Sequence, residues 1–187
     1  MVTLIHNVLT TDYIGLIHDD DCVAGLEILE RRRGMVARIL GMPPGSLDSL
    51  AGIFGISGIC NILGAIRLAR HLSLGPGDNV VTIATDGMDR YPSVLANLEK
   101  RRGPLDEPLL ASWFEEIFRG GDSRDFLDVR SAEEKNRLFT YKEQVWTNFG
   151  YSPSYLEGMK SQSFWDAEFE RVQEVDRAVA TNRRIDN

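Results

Sequence analysis

Residues 54–91, FGISGICNILGAIRLARHLSLGPGDNVVTIATDGMDRY, decide the fold that we predict for this chain. They open on the turn Gly55-Ile56-Ser57-Gly58, after which apolar side chains recur every three or four residues. This interval predicts a helix with one buried face that ends near His71. The β-branched run 79–85 (NVVTIAT) follows and is typical of a strand buried in a parallel sheet. The polar loop Thr85-Asp86-Gly87 closes that strand.

The residues upstream predict the same alternation of strands and helices. Residues 13–17 (YIGLI) form a short apolar segment, and the aspartates of 19–21 that follow it are good helix N-caps. Apolar spacing predicts a helix over 22–40, which Gly34 bends or breaks. A second apolar run, 50–54, precedes the glycine-rich turn. Strands and helices in this order predict an α/β sheet with right-handed crossovers.

The sequence downstream of Tyr91 is helical and more polar. We predict helices over about 92–101, 107–119, 132–148 and 154–182. Aromatic residues are spread through these helices, and we interpret them as packing surface rather than a ligand cage. The chain is therefore predicted to consist of an α/β half, residues 1–100, and a helical extension, residues 101–187.

Composition and charge exclude several classes of function. The chain has 187 residues and a net charge of −7, which argues against binding to a nucleic-acid backbone. Its two cysteines, Cys22 and Cys60, do not form a disulfide framework or a metal-binding motif, so we expect a cytoplasmic protein. The apolar stretches are too short to span a bilayer, and the N-terminus does not resemble a signal peptide. We expect no membrane partner.

Two loops are the candidate binding site, because each follows a predicted strand, where α/β sheets bind ligands. Gly55-Ile56-Ser57-Gly58 brings backbone close to a ligand and opens a helix whose N–H groups are free; the alternative is a simple turn and cap. Thr85-Asp86-Gly87 is suited to face a ring nitrogen, or is only a polar turn. His18, ahead of three aspartates, is interpreted as part of a helix cap, and we predict no metal ligands and no catalytic residue.

The two loops, taken in order, resemble the late part of fold-type II pyridoxal-phosphate enzymes, with cysteine synthase and cystathionine β-synthase as the most similar families. The resemblance covers about residues 50–92 and includes the loop ending Arg90-Tyr91. It implies the C-terminal part of a tryptophan-synthase-β-like fold: a partial parallel sheet with flanking helices, followed here by the helical extension. Residues 1–100 would then be half of the cofactor-binding domain.

The resemblance also implies a cofactor site for pyridoxal 5′-phosphate. Its lining residues would be Gly55, Ile56, Ser57, Gly58, Thr85, Asp86 and Gly87. In the family a serine or threonine of the second loop hydrogen-bonds the pyridine nitrogen. The matching position is Gly87, which has no side chain, so Thr85 or Asp86 would take this role.

The lysine and the phosphate loop of the family have no counterpart here. The four lysines, Lys100, Lys135, Lys142 and Lys160, lie in charged contexts in the tail, and we expect all four to face solvent. A complementary N-terminal half or subunit would supply the lysine, in a homo- or hetero-oligomer that is not active without it. The complete enzyme would catalyse β-replacement or β-elimination on serine, O-acetylserine or cysteine.

Two other hypotheses stay open. The chain is alternatively a non-catalytic structural or partner subunit that retains the half-fold, which Gly87 favours. The intact GISG turn and Arg90-Tyr91 favour the enzyme. A third hypothesis is an unrelated enzyme that binds an anion at the helix start near Ser57.

Overall fold

A computed structural model describes residues 3–103, 105–120 and 126–182. These residues are mostly helical, with one small sheet. The α-helices are α1 (Asp19–Arg31), α2 (Arg33–Ile39), α3 (Ile56–His71), α4 (Pro92–Arg102), α5 (Glu107–Phe114), α6 (Ala132–Thr147), α7 (Pro153–Gly158) and α8 (Gln162–Asn182). Short 3₁₀ turns cover Val8–Thr10, Asp48–Leu50 and Met88–Arg90, and a π-helical turn covers Glu115–Arg119. The strands are β1 (Tyr13–Gly15) and β2 (Phe126–Asp128).

The chain divides into two compact units. The terminal unit comprises the described parts of Met1–Ile14 and Asp128–Asn187, and the central unit comprises those of Gly15–Leu127. The boundary predicted after residue 100 falls inside the central unit. Each unit has its own cluster of buried apolar side chains. In the terminal unit this cluster consists of Val8, Val129, Leu138, Phe139, Leu156 and Met159.

The core of the central unit forms where α1 packs against α3. Leu26 and Ile28 of α1 and Ile59 and Leu63 of α3 have no exposed surface. Gly25 permits this close approach, because a Cβ atom there would lie 2.8 Å from Ile59 Cγ2. The three- and four-residue spacing therefore predicted α3 and its buried face correctly.

The predicted helix over 22–40 is in fact two helices, α1 and α2. The break is at Arg32 (φ −128°, ψ 25°) and not at Gly34. The side chain of Arg33 turns back over the end of α1 and donates to the carbonyl oxygens of Leu29 (2.9 Å) and Glu30 (2.5 Å). An arginine that donates to the last carbonyl groups of a helix stabilises the helix end. This interaction explains why the break lies at Arg32, two residues before the predicted position at Gly34.

The predicted strands differ most from the structure. Residues 79–85 form no strand, and Val81 and Ile83 are 90% and 71% exposed. Residues 50–54 form turns, and of 13–17 only β1 is a strand. It pairs with β2 in an antiparallel sheet, the one sheet among the described residues. A strand needs a neighbouring strand for its N–H and C=O groups, and among the described residues no strand pairs with run 79–85. The parallel sheet that the sequence predicted is therefore not found here.

The helices of the second half follow the predicted pattern with two interruptions. The predicted helix 107–119 continues after Phe114 as a π-helical turn, and the predicted helix 154–182 is divided into α7 and α8. Ser152 and Ser131 cap α7 and α6 by accepting a backbone N–H, as residues of this type favour. No helix in the described ranges has the length and apolarity needed to cross a membrane.

Candidate functional site

The first predicted loop forms the start of α3. Gly55 is the N-cap in an extended conformation, and its carbonyl oxygen accepts the N–H of Ile59 at 3.0 Å. It has no side chain to cap the helix, so the N–H groups of the first turn are left for other acceptors. Ser57 is exposed and Gly58 is buried against Phe54. Ile56 packs against the core, so Ser57 is the polar side chain that this loop offers to solvent.

The second predicted loop holds one carboxylate in a fixed position. Tyr91 donates its hydroxyl to Asp86 Oδ2 at 2.5 Å, and Thr85 donates its hydroxyl to Asp86 Oδ1 at 3.1 Å. The hydrogen bond from Tyr91, followed by that from Thr85, lowers the pKa of Asp86 below its ordinary value. The same bond raises the pKa of Tyr91. Asp86 is therefore a charged acceptor, and Thr85 serves as its donor.

The structure brings the two loops together. Gly55 N–H donates to the Asp86 carbonyl oxygen at 2.6 Å, and Met88 N–H donates to the Gly52 carbonyl oxygen at 3.2 Å. A Cβ atom at Gly55 would lie 2.7 Å from Asp86 Oδ1 and would also overlap the Tyr91 ring. Glycine at this position is thus required by the contact, and the Asp86 carboxylate lies beside the start of α3.

Gly87 has a physical reason to lack a side chain. A Cβ atom there would lie 2.7 Å from the carbonyl oxygen of Gly52. The hydroxyl residue that the resemblance places at this position would therefore not fit this backbone. Of the two substitutes that the sequence left open, Asp86 carries the free acceptor capacity, since a carboxylate has about four lone-pair positions and two are used.

The chemistry of the pair of loops fits one end of the cofactor that the resemblance implies. A charged carboxylate is suited to hold the proton of a pyridine nitrogen, and glycines at Gly55 and Gly87 allow backbone to approach closely. The seven predicted residues do not line the cavities of about 450–490 Å³ beside Met35, Phe164, Phe114 and Val94. Of the seven, Ser57 and Thr85 are exposed, Ile56, Asp86 and Gly87 are half-buried, and Gly55 and Gly58 are buried.

Lys142 contradicts the expectation that all four lysines face solvent. It is buried in the terminal unit, and its ammonium donates to the carbonyl oxygens of Leu4 (3.0 Å) and His6. Desolvation lowers the pKa of Lys142 to about 8. Such a pKa suits a reactive amine, but both carbonyl bonds hold this one in a structural role. The two predicted loops belong to the central unit, so the site as described contains no Schiff-base lysine.

The central core also contains two charged groups that the sequence did not predict. Glu27 of α1 has no exposed surface, and its carboxylate accepts no hydrogen bond; the Arg31 guanidinium is 3.4 Å away. Burial raises the pKa of Glu27. Arg67 of α3 is nearly buried and donates to Asp21 Oδ2 at 2.7 Å. Glu27 stands between Leu26 and Ile28 in the sequence, which was the available indication of a buried carboxylate.

The comparisons with known proteins add no relative. No family model, no curated protein and no solved structure matches this chain. Within the ranges that the structure covers, no three His, Cys, Asp or Glu side chains are grouped so as to hold a metal ion. His18 instead caps α1, its Nδ1 accepting the N–H of Asp20 at 3.2 Å. The site is thus defined by the geometry of its two loops.

Proposed function

We propose that this chain is the C-terminal part or a subunit of a cysteine-synthase-like enzyme that depends on pyridoxal phosphate. The observation that carries the proposal is the hydrogen bond from Gly55 N–H to the Asp86 carbonyl oxygen. It joins two loops that the sequence singled out independently, and the resemblance assigns both to one cofactor. The central unit would contribute one wall of the site.

Asp86 is the residue proposed to hold the ring nitrogen. Its carboxylate is charged, is oriented by Tyr91 and Thr85, and keeps lone pairs free to accept the proton of a pyridinium. Bound pyridoxal phosphate supplies an electron sink for the α-carbon of an amino acid. Gly55 and Ser57 would lie along the ring, with backbone and a small hydroxyl in place of bulky side chains.

The remaining half of the site is proposed to come from another chain or segment. It would carry the Schiff-base lysine and the phosphate loop, and the complete enzyme would act on serine, O-acetylserine or cysteine by β-replacement or β-elimination. Run 79–85 supports this, because exposed β-branched residues outside any described strand pairing are suited to pair with a strand of a partner. The parallel sheet predicted from the sequence would form in that assembly.

The proposal is tested on the assembly purified from the protein's own source. We expect the visible absorption of lysine-bound pyridoxal phosphate and β-elimination of cysteine. Asp86→Ala should lower the turnover about 100-fold, since it removes a charge placed to stabilise the reacting ring. Asp89→Ala is the matched control: it removes the same charge from the same loop and should leave turnover unchanged. Equal turnover in both variants and the wild type would refute the role of Asp86.

The second candidate function is a non-catalytic partner subunit. Gly87 favours it, because the hydroxyl position of the family is both empty and sterically closed. In that case the purified assembly would contain no lysine-bound cofactor. Alternatively, it would contain the cofactor with an absorption that Asp86→Ala does not alter. Either result separates the two functions.

A further inference from the structure

Helix α8 carries a row of exposed apolar side chains along one face. Phe169, Val172, Val175 and Val179 are 68%, 54%, 59% and 46% exposed. At 100° per residue the three valines fall within an arc of about 60°, and Phe169 lies about 60° beyond them on the side of Asp176. A continuous apolar row on the outside of a folded unit is typical of a surface that is covered by another protein.

The spacing of this row is that of a coiled coil. Val172, Val175 and Val179 are separated by three and then four residues, the interval of heptad positions a, d and a. Valine therefore occupies both heptad positions, a and d, over one heptad of α8. Glu168, one turn before Val172, is charged and ends the apolar row. The contact surface formed by the three valines, here called the seam, therefore covers the C-terminal half of α8.

The charges beside the row point to a second copy of the same helix. Arg171 lies on one flank of the valines and Asp176 on the other, at heptad positions g and e. In a parallel pair, position g of one helix faces position e five residues later on its partner. Arg171 would therefore face Asp176 of the second copy, and the pair would form twice by symmetry. Among the described residues Arg171 forms an ion pair with the partly exposed Glu168, a surface contact of little energetic value.

We propose that two copies of this chain associate in parallel through the C-terminal half of α8. Val172, Val175 and Val179 form the seam, and Arg171 pairs with Asp176 of the other copy. This surface belongs to the terminal unit and does not depend on the cofactor proposed for the central unit.

Sedimentation velocity of the whole chain tests the seam. The mass should rise with concentration from 21.0 kDa towards twice that value. Val175→Glu, which buries two facing carboxylates, should weaken the association at least ~10-fold. Gln173→Glu places the same side chain at an outward position and should leave the association unchanged. A chain that stays monomeric at every concentration, or a Val175→Glu variant that associates like the wild type, would overturn the proposal.

Charge exchange tests the parallel orientation. Arg171→Glu and Asp176→Arg should each weaken the association, since each places like charges opposite one another. The double variant should recover it, because the exchanged pair is again complementary. A double variant weaker than both single variants would refute the parallel register. Association that needs a different chain, with no self-association of this one, would assign the row to a hetero-partner and overturn the proposal.

Discussion

Helix α3 and run 79–85 are close in the sequence and both are rich in apolar residues, but α3 buries its apolar face and run 79–85 exposes its apolar side chains. In α3 the backbone hydrogen bonds close within the helix, and its apolar face is buried against α1. In run 79–85 Val81 and Ile83 face solvent. A hydrogen bond connects this run to α3: Asn61 Nδ2 donates to the Ile83 carbonyl oxygen at 2.9 Å. A helix is completed by its own residues, whereas a strand is completed by a neighbour.

The largest expected difference is in core stability. Leu63→Ala in α3 should lower the free energy of unfolding by about 2–5 kcal/mol, because it opens a cavity in a fully buried position. Ile83→Ala in the run should change it by less than about 0.5 kcal/mol, since the side chain is exposed in the isolated chain. Urea denaturation of both variants measures this. An equal loss in the two variants would mean that the run is buried after all.

The junction between the two regions should be the next most sensitive point. Gly55→Ala would force a Cβ atom against Asp86 and the Tyr91 ring and separate the loops, at a cost of roughly 1–3 kcal/mol. Gly77→Ala is the control, because no atom lies within 4 Å of its Cβ position. Thermal unfolding compares them. If Gly55→Ala is as stable as Gly77→Ala, the two loops do not pack as described.

The buried carboxylate of Glu27 in α1 should make stability depend on pH. Because burial raises its pKa, the folded chain holds its proton at a pH where the unfolded chain has lost it. The free energy of unfolding should therefore fall as pH rises from the ordinary glutamate pKa of about 4.3 through the raised value. Glu27→Gln should remove this slope, and Glu27→Leu should raise stability at neutral pH by roughly 1 kcal/mol. Urea titrations at several pH values measure it, with exposed Glu174→Gln as control. A slope retained in Glu27→Gln would contradict the assignment.

The smallest expected effect concerns the hydrogen bond between the Asn61 side chain of α3 and the backbone of run 79–85. Asn61→Ala removes one exposed side-chain hydrogen bond, worth about 0.5–1 kcal/mol locally. Hydrogen exchange of residues 79–85, followed by mass spectrometry, should become faster in this variant and stay unchanged in α3. Slow exchange throughout the run in the wild type would show that residues 79–85 form a paired strand. This result would contradict the difference between α3 and the run.

The sequence could predict those parts of the fold that depend on local spacing. The limits of α3, α4 and α6 follow from periodic apolar residues and from caps such as Ser131. Of the predicted strands, residues 13–17 contain β1, whereas the prediction for 79–85 was wrong because this run has the composition of a buried strand but no described strand beside it. Contacts between distant residues also escaped: the burial of Lys142 depends on carbonyl groups more than 130 positions away.

The sequence could indicate the two loops of the candidate site, but not the distances between them or the directions of their side chains. Motif order predicted that Gly55 and Asp86 belong to one site, and in the structure a backbone hydrogen bond joins the two loops. The choice between Thr85 and Asp86 needed side-chain directions, which the sequence does not contain. The closed space at Gly87 depends on the carbonyl of Gly52, a contact across 35 positions.

The central claim is that this chain supplies one half of a pyridoxal-phosphate site. In this account, run 79–85 pairs with a strand of the chain or segment that supplies the other half. A native mass spectrum of the protein from its own source, with a visible absorption spectrum of the same sample, tests it most directly. The account predicts a complex with a second, lysine-bearing chain and the yellow absorption of lysine-bound cofactor. A colourless assembly made of this chain alone would contradict it.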